Sequence, residues 1–136
     1  MSFVLDSSVS LTWCFDDERT DATDALLEHL VEVGAAAPAL WPLEVLNALA
    51  MAERRSRIDA ERRQRLAGFL RDLPVTIDDE TASHAWAVTS QLAARFRLTV
   101  YDAAYLELAQ RRGLPLATLD QELRAAAAAL GVSLLG

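Results

Sequence analysis

Four acidic residues sit in places where acids are out of keeping with their surroundings. Asp6 directly follows the apolar run Phe3-Val4-Leu5, and Asp120 comes two residues after Leu116-Ala117-Thr118. Glu44 is embedded in Leu40-Trp41-Pro42-Leu43-Glu44-Val45-Leu46, and Asp102 is followed by Ala103-Ala104-Tyr105-Leu106. Singly, each has an ordinary structural explanation. An Asp after a strand caps the next helix, which suits Asp6 and Asp120. Thr99-x-x-Asp102 has the form of a capping box, and Glu44 just after Pro42 complements a helix dipole. Together, in core-like sequence, they suggest a different use. Carboxylates held close raise one another's pKa unless a cation neutralises them. An all-oxygen donor set suits Mg²⁺ or Mn²⁺, ions that keep several waters and coordinate phosphate.

Convergence of the four requires a particular frame. Short apolar runs alternate with longer segments of helical periodicity, the pattern of an α/β domain built on a parallel sheet. Strands are expected at 3–5, 35–40 (weak, because alanine favours helix), 75–77, 116–118 and 132–135. Helices are expected at 9–15, 24–33, 42–55, 59–71, 79–96 as one long element, 99–112 and 120–130, with Gly34, Gly113 and Gly131 as stops. No linker or repeat divides the chain, so residues 1–136 form a single domain. The expected architecture is a three-layer α/β sandwich with a short central parallel sheet flanked by helices. Right-handed crossovers place every strand's carboxyl end on one edge, where such folds bind ligands. Asp6 and Asp120 fall at that edge, and Glu44 and Asp102 lie in first turns of helices that could begin beside it.

Composition narrows the partners. The chain has 136 residues, 52% of them hydrophobic, and thirteen basic against twenty acidic side chains give a net charge of −7. That length can bury a core without disulfides, and a single cysteine, Cys14, excludes an internal one. A reducing, cytoplasmic setting is expected. The opening Met1-Ser2-Phe3-Val4 lacks the features of a signal peptide, and no apolar run reaches the ~18 residues needed to span a bilayer. A net negative chain does not bind nucleic acid by bulk attraction, but a bound metal can supply the missing positive charge.

The segments around the four acids resemble the signature blocks of PIN-domain ribonucleases. They are Val4-Leu5-Asp6-Ser7-Ser8-Val9-Ser10-Leu11-Thr12-Trp13, Pro42-Leu43-Glu44-Val45-Leu46-Asn47-Ala48-Leu49, Tyr101-Asp102-Ala103-Ala104-Tyr105-Leu106-Glu107-Leu108-Ala109 and Leu116-Ala117-Thr118-Leu119-Asp120. The order is right, the blocks cover essentially the whole chain, and no acidic position departs from the pattern. The VapC-type toxins of bacterial toxin–antitoxin pairs are the nearest group. The resemblance implies a PIN-like fold and a Mg²⁺-dependent endoribonuclease in which Mn²⁺ substitutes. It implies that Asp6, Glu44, Asp102 and Asp120 hold one or two ions, with Asp6 and Asp102 the most direct ligands, and that Ser7 and Thr118 support them. It further implies an RNA substrate, a homodimer, and inhibition by a cognate VapB-like antitoxin.

Other readings compete. Receiver-like and haloacid-dehalogenase-type phosphoryl transfer would also use a strand-end Asp. All thirteen basic residues are arginine, so a receiver's lysine is absent, and Ser8 stands where the phosphatases carry a second Asp. A flap-type DNA nuclease needs a long insertion for which there is no room. The alternative from another class is a non-catalytic PIN-fold binding module, although such modules typically lose acids that are present here. His29 and His84 fall inside expected helices, away from the acids. Cys14, Trp13, Trp41 and Trp86 are expected in the core or at interfaces. Seven arginines between Arg54 and Arg71 crowd one helical hairpin, either as a solvated, ion-paired face or as an RNA or partner contact. The acidic stretch from Asp16 to Glu32 should repel RNA.

Overall fold

The computed structural model describes residues 2–136; Met1, part of the segment weighed above for a leader, lies outside them. Five short strands, β1 (Val4–Leu5), β2 (Ala35–Ala37), β3 (Val75–Ile77), β4 (Leu116–Ala117) and β5 (Leu134–Leu135), form one all-parallel sheet in the order β3-β2-β1-β4-β5. β1 is central because Phe3, Val4 and Leu5 are wholly buried and pair on both sides, Val4 with Ala36 and with Leu116. The strand order reverses between β1 and β4, which opens the crevice where ligands bind in such sheets.

The helices α1 (Ser7–Thr12), α2 (Asp21–Val33), α3 (Trp41–Arg54), α4 (Ala60–Arg71), α5 (Thr81–His84), α6 (Ser90–Phe96), α7 (Val100–Arg112) and α8 (Gln121–Leu130) flank the sheet. Local chemistry sets their ends. Thr20 caps α2 through a reciprocal bond pair with Thr23, and Asp59, Thr99 and Asp120 accept the N–H of Arg62, Asp102 and Leu123. Gly34 stops α2 at a φ of 75°, a conformation that a side chain disfavours. α7 runs buried from Ala103 to Ala109 and packs on β1, β4 and α8. No helix among the described residues is long and apolar enough to cross a membrane.

Several expected boundaries move: α1 spans Ser7–Thr12 rather than 9–15, α2 begins at Asp21 rather than 24, and β5 is Leu134–Leu135 rather than 132–135. Two further expectations change. The long helix over 79–96 is interrupted, because α5 and α6 are joined by a π-helical turn at Ala85–Thr89. The wider turn buries Thr89 but leaves Trp86 93% exposed, so Trp86 is not a core residue, unlike Trp13 and Trp41. The second strand ends at Ala37 rather than Leu40, since Pro38 follows and cannot donate to a ladder.

Candidate active site

Asp6 takes the N-cap position of α1, yet its side chain makes no capping bond. Instead Oδ2 accepts from Ser8 Oγ at 2.6 Å and from Thr118 Oγ1 at 2.7 Å. Ser8 Oγ in turn accepts the N–H of Leu119 (3.0 Å), and Thr118 Oγ1 accepts the N–H of Asp120 (3.1 Å). The turn after β1 is thereby stitched to the turn after β4, across the point where the strand order reverses. Asp6 is 3% exposed, and burial pushes its carboxyl above the ordinary range against the pull of those hydroxyls, with the charge of Asp120 adding to the rise.

Glu44 enters from the first turn of α3, where Oε1 accepts the Tyr105 hydroxyl at 2.5 Å. Burial raises its pKa, the Tyr105 and Ser7 hydroxyls counter it, and the charge of Asp6 raises it further. Asp102, in the first turn of α7, is pushed up to about 6 by burial and then by the charges of Asp6, Asp120 and Glu44. Asp120 caps α8 through Oδ1 at 2.9 Å from the Leu123 N–H, so its structural role is real. Asp6, Glu44 and Asp102 are thus each raised by the charge of at least one other acid of the set. Among the described residues none of the four has an ion-pair partner of its own.

A second group of acids provides the contrast. Asp78, Asp79 and Glu80 follow β3, and among the described residues they are the trio whose oxygens all lie within 4.8 Å of one another. Asp78 is 1% exposed, but both its oxygens are taken. Arg111 reaches them at 2.7 and 3.2 Å, Arg112 at 3.0 Å and the Thr81 hydroxyl at 2.9 Å. Burial alone would raise this carboxyl; the Arg111 and Thr81 bonds outweigh it and hold Asp78 at about 2. Glu80 also lies 3.7 Å from Arg111. In this trio Asp78 and Glu80 face arginines of the chain, whereas the four predicted acids are looser in spacing and, among the described residues, have no ion-pair partner. An all-oxygen, anionic, partly dehydrated set without its own cation fits a hard divalent ion, so the donor set favours the four over the trio.

Ser8 and Tyr105 escaped the sequence reading as site residues. Ser8 lies two positions after a strand-end Asp, the spacing of a hydroxyl folding back on that carboxylate, while Tyr105 lies three after Asp102, on the same helix face. The hydroxyl of Ser7, expected as a support, lies near Glu44 and Tyr105 and offsets the rise in the pKa of each, while its backbone N–H does the same for Asp6. The histidines stay apart: His29 stacks on Phe3, and His84 lies 3.8 Å from Glu80. Cys14 is buried, and burial pushes its thiol up to about 11.

The family model for the PIN domain matches residues 3–129 of this chain. Solved structures with the same fold include PAE2754 from Pyrobaculum aerophilum, at 24% identity and a TM-score of 0.68 over 93% of this chain and 84% of that one. FitAcB from Neisseria gonorrhoeae is 17% identical with a TM-score of 0.70, covering 98% and 96%. VapBC2 from Rickettsia felis, solved bound to a DNA fragment from their promoter, is 13% identical with a TM-score of 0.67, covering 98% and 97%. A search of curated proteins finds no match.

Proposed function

The chain belongs to the PIN domain family, and from that premise we propose that it is a metal-dependent endoribonuclease, the VapC-type toxin of a toxin–antitoxin pair. The observation that carries the proposal is the set Asp6, Glu44, Asp102 and Asp120: buried or partly buried, with the charges of some raising the pKa of others, and without an ion-pair partner among the described residues. Bound there, Mg²⁺, or Mn²⁺ in its place, supplies water activation and neutralises charge on the scissile phosphate. Asp6 and Asp102 are the direct ligands in this reading, with Glu44 and Asp120 acting partly through water. Ser8 and Thr118 fix the orientation of Asp6 by occupying Oδ2. The Tyr105 hydroxyl fixes Glu44, and burial keeps that phenol protonated as a donor.

The partners follow the same reading: an RNA substrate, a second copy of the chain and a small VapB-like antitoxin. Leu40, Leu43, Val100, Tyr101 and Ala104 line an apolar recess of about 330 Å³ close to Glu44 and Asp102 in sequence. Leu43 and Tyr101 are 72% and 65% exposed there, an arrangement that a second copy would cover. The test of function is incubation of cellular RNA with the purified, antitoxin-free chain. Discrete fragments in Mg²⁺ that vanish with EDTA support the proposal; intact RNA in both, from a folded protein with Mg²⁺ bound, overturns it.

A further inference from the structure

The arginine-rich hairpin separates into two populations once the fold is known. Arg57 bonds Asp17 and Glu18, each at 2.8 Å, and its guanidinium stacks 3.8 Å over the Phe15 ring. Arg63 pairs with Glu53, and Arg71 with Asp72 at 3.1 Å. Arg54, Arg55, Arg62 and Arg65 are all exposed and, among the described residues, none has an ion-pair partner. Residues 53–65 hold six arginines against three acids, in a chain whose net charge is −7. Four unrelieved like charges within one turn and its flanking helix ends repel one another, and the twenty acids of the chain leave them unpaired.

Their position relative to the acids gives them a use. α1 begins immediately after Asp6, and α3 carries Glu44 in its first turn; the two helices pack together. Arg55 lies eleven residues beyond Glu44, three turns on and therefore on the same face, about 16 Å along the axis. Between the far halves of α1 and α3 lies a recess of about 240 Å³, with Leu11, Phe15 and Glu18 on one side, Ala48 and Met51 on the other, and Arg55 and Arg57 at its end, Glu18 being bonded to Arg57. Arg62 is close enough to Cys14, just past α1, for its charge to pull that thiol down against burial. The acids of the neighbouring 3₁₀ turn, Asp16–Glu18, repel a polyanion; Arg57, shared between Asp17 and Glu18, offsets one of their negative charges, so the polyanion has to pass on the side of Arg54, Arg55, Arg62 and Arg65.

We propose that Arg54, Arg55, Arg62 and Arg65 form a rail for the RNA backbone, binding phosphates of a single strand whose scissile bond lies at the carboxylates at the other end of the α1–α3 surface. This rests on the ribonuclease reading above. The guanidinium fork matches phosphate geometry, and a chain of net negative charge has to localise the cations that hold its substrate. These are positioning residues, since none of them lies among the acids.

The test measures binding of a fluorescein-labelled single-stranded RNA by anisotropy across a range of NaCl concentrations, in an Asp102→Asn background that leaves the RNA uncut. Replacing all four arginines with glutamine should weaken binding at least tenfold at low salt. It should also flatten the plot of log Kd against log[salt] by about 0.7 for each phosphate that is no longer neutralised. The single variant Arg55→Gln should lose about one such step, the four-fold Arg→Lys variant should keep most of the slope, and Arg71→Gln, paired with Asp72, should keep all of it. An unchanged slope in the four-fold glutamine variant, or no RNA binding by the parent at low salt, overturns the rail. So does loss of binding only to an acidic peptide such as polyglutamate, which would assign the surface to a protein partner. An unchanged slope, together with metal-dependent cleavage by the chain that keeps Asp102, sinks the rail alone; an arginine-dependent slope with no cleavage by the chain that keeps Asp102 sinks the nuclease reading alone.

Discussion

At the scale of single residues, the molecule treats its buried acids in two ways. Asp78 is matched by Arg111, Arg112 and Thr81; removing it takes away the carboxylate that Arg112 pairs with, while Arg111 keeps its two bonds to Glu107 at 2.7 and 3.1 Å. Asp78→Ala should cost about 2–3 kcal/mol of stability, less than breaking a wholly buried pair, because Arg112 reaches solvent and Arg111 keeps Glu107. Denaturant unfolding checks this, and a loss below about 1 kcal/mol would contradict the network's structural role. The two kinds of acid also titrate in opposite senses. Asp78 is held at about 2 against an ordinary value of 3.8, so its contribution is complete above pH 4 and is lost as pH falls towards 2. Asp102 is raised from 3.8 to about 6, so its contribution in the metal-free protein is greatest below pH 4 and is lost as pH rises through 6. Thermal melts of the metal-free chain should lose stability from both ends, and added Mg²⁺ should restore it selectively on the alkaline side. A metal-free melting curve unaffected between pH 4 and 7 would count against the repulsion assigned to Asp102.

At the scale of elements, the site depends on the bond network between the turns after β1 and β4. Ser8→Ala removes one donor to Asp6 and the acceptor for the Leu119 N–H. It should cost about 1 kcal/mol in stability and about 10–100-fold in Mn²⁺ affinity measured by calorimetry. Unchanged affinity would mean that Ser8 only supports the fold. Much of this scale is legible in the sequence, because caps, glycine stops and buried apolar runs are local signals: α4, α7 and α8 begin beside Asp59, Thr99 and Asp120, whereas α2 begins just after the Thr20 cap, three residues before the expected start at 24. Strand ends are less legible, since runs of two or three residues carry little periodicity. The π turn at Ala85–Thr89 is invisible because its residues suit either helix type and the wider spacing is set by packing against α7. The four acids stood out because they interrupt apolar sequence. Tyr105 did not, because a tyrosine in an apolar helix reads as core until Glu44, sixty-one positions away, is placed beside its hydroxyl. Nor could the sequence sort the arginines, since the partners of Arg57 lie about forty residues away.

At the scale of the whole molecule, one parallel sheet brings distant acids to its carboxyl edge, while exposed apolar side chains remain on the helices that carry two of them. Leu43 lies beside Glu44, and Val100 and Tyr101 lie beside Asp102. If a second copy covers that surface, Leu43→Arg should convert a dimer to a monomer in sedimentation equilibrium while leaving the melt of each chain nearly unchanged. An unaltered dimer would place the interface elsewhere. The central claim, that the uncompensated acids rather than the closer-spaced Asp78–Glu80 trio hold the functional cation, is tested most directly by one comparison. Mg²⁺-dependent cleavage of cellular RNA is measured for the parent chain, for Asp102→Asn and for Asp79→Asn. Asp102→Asn should remain folded, with a melting temperature equal to or above the parent's because a mutually repelling charge is gone, and should lose cleavage by a factor of about a hundred or more. Asp79→Asn should cut as the parent does. Cleavage that survives Asp102→Asn but disappears in Asp79→Asn would contradict the account and move the metal to the trio.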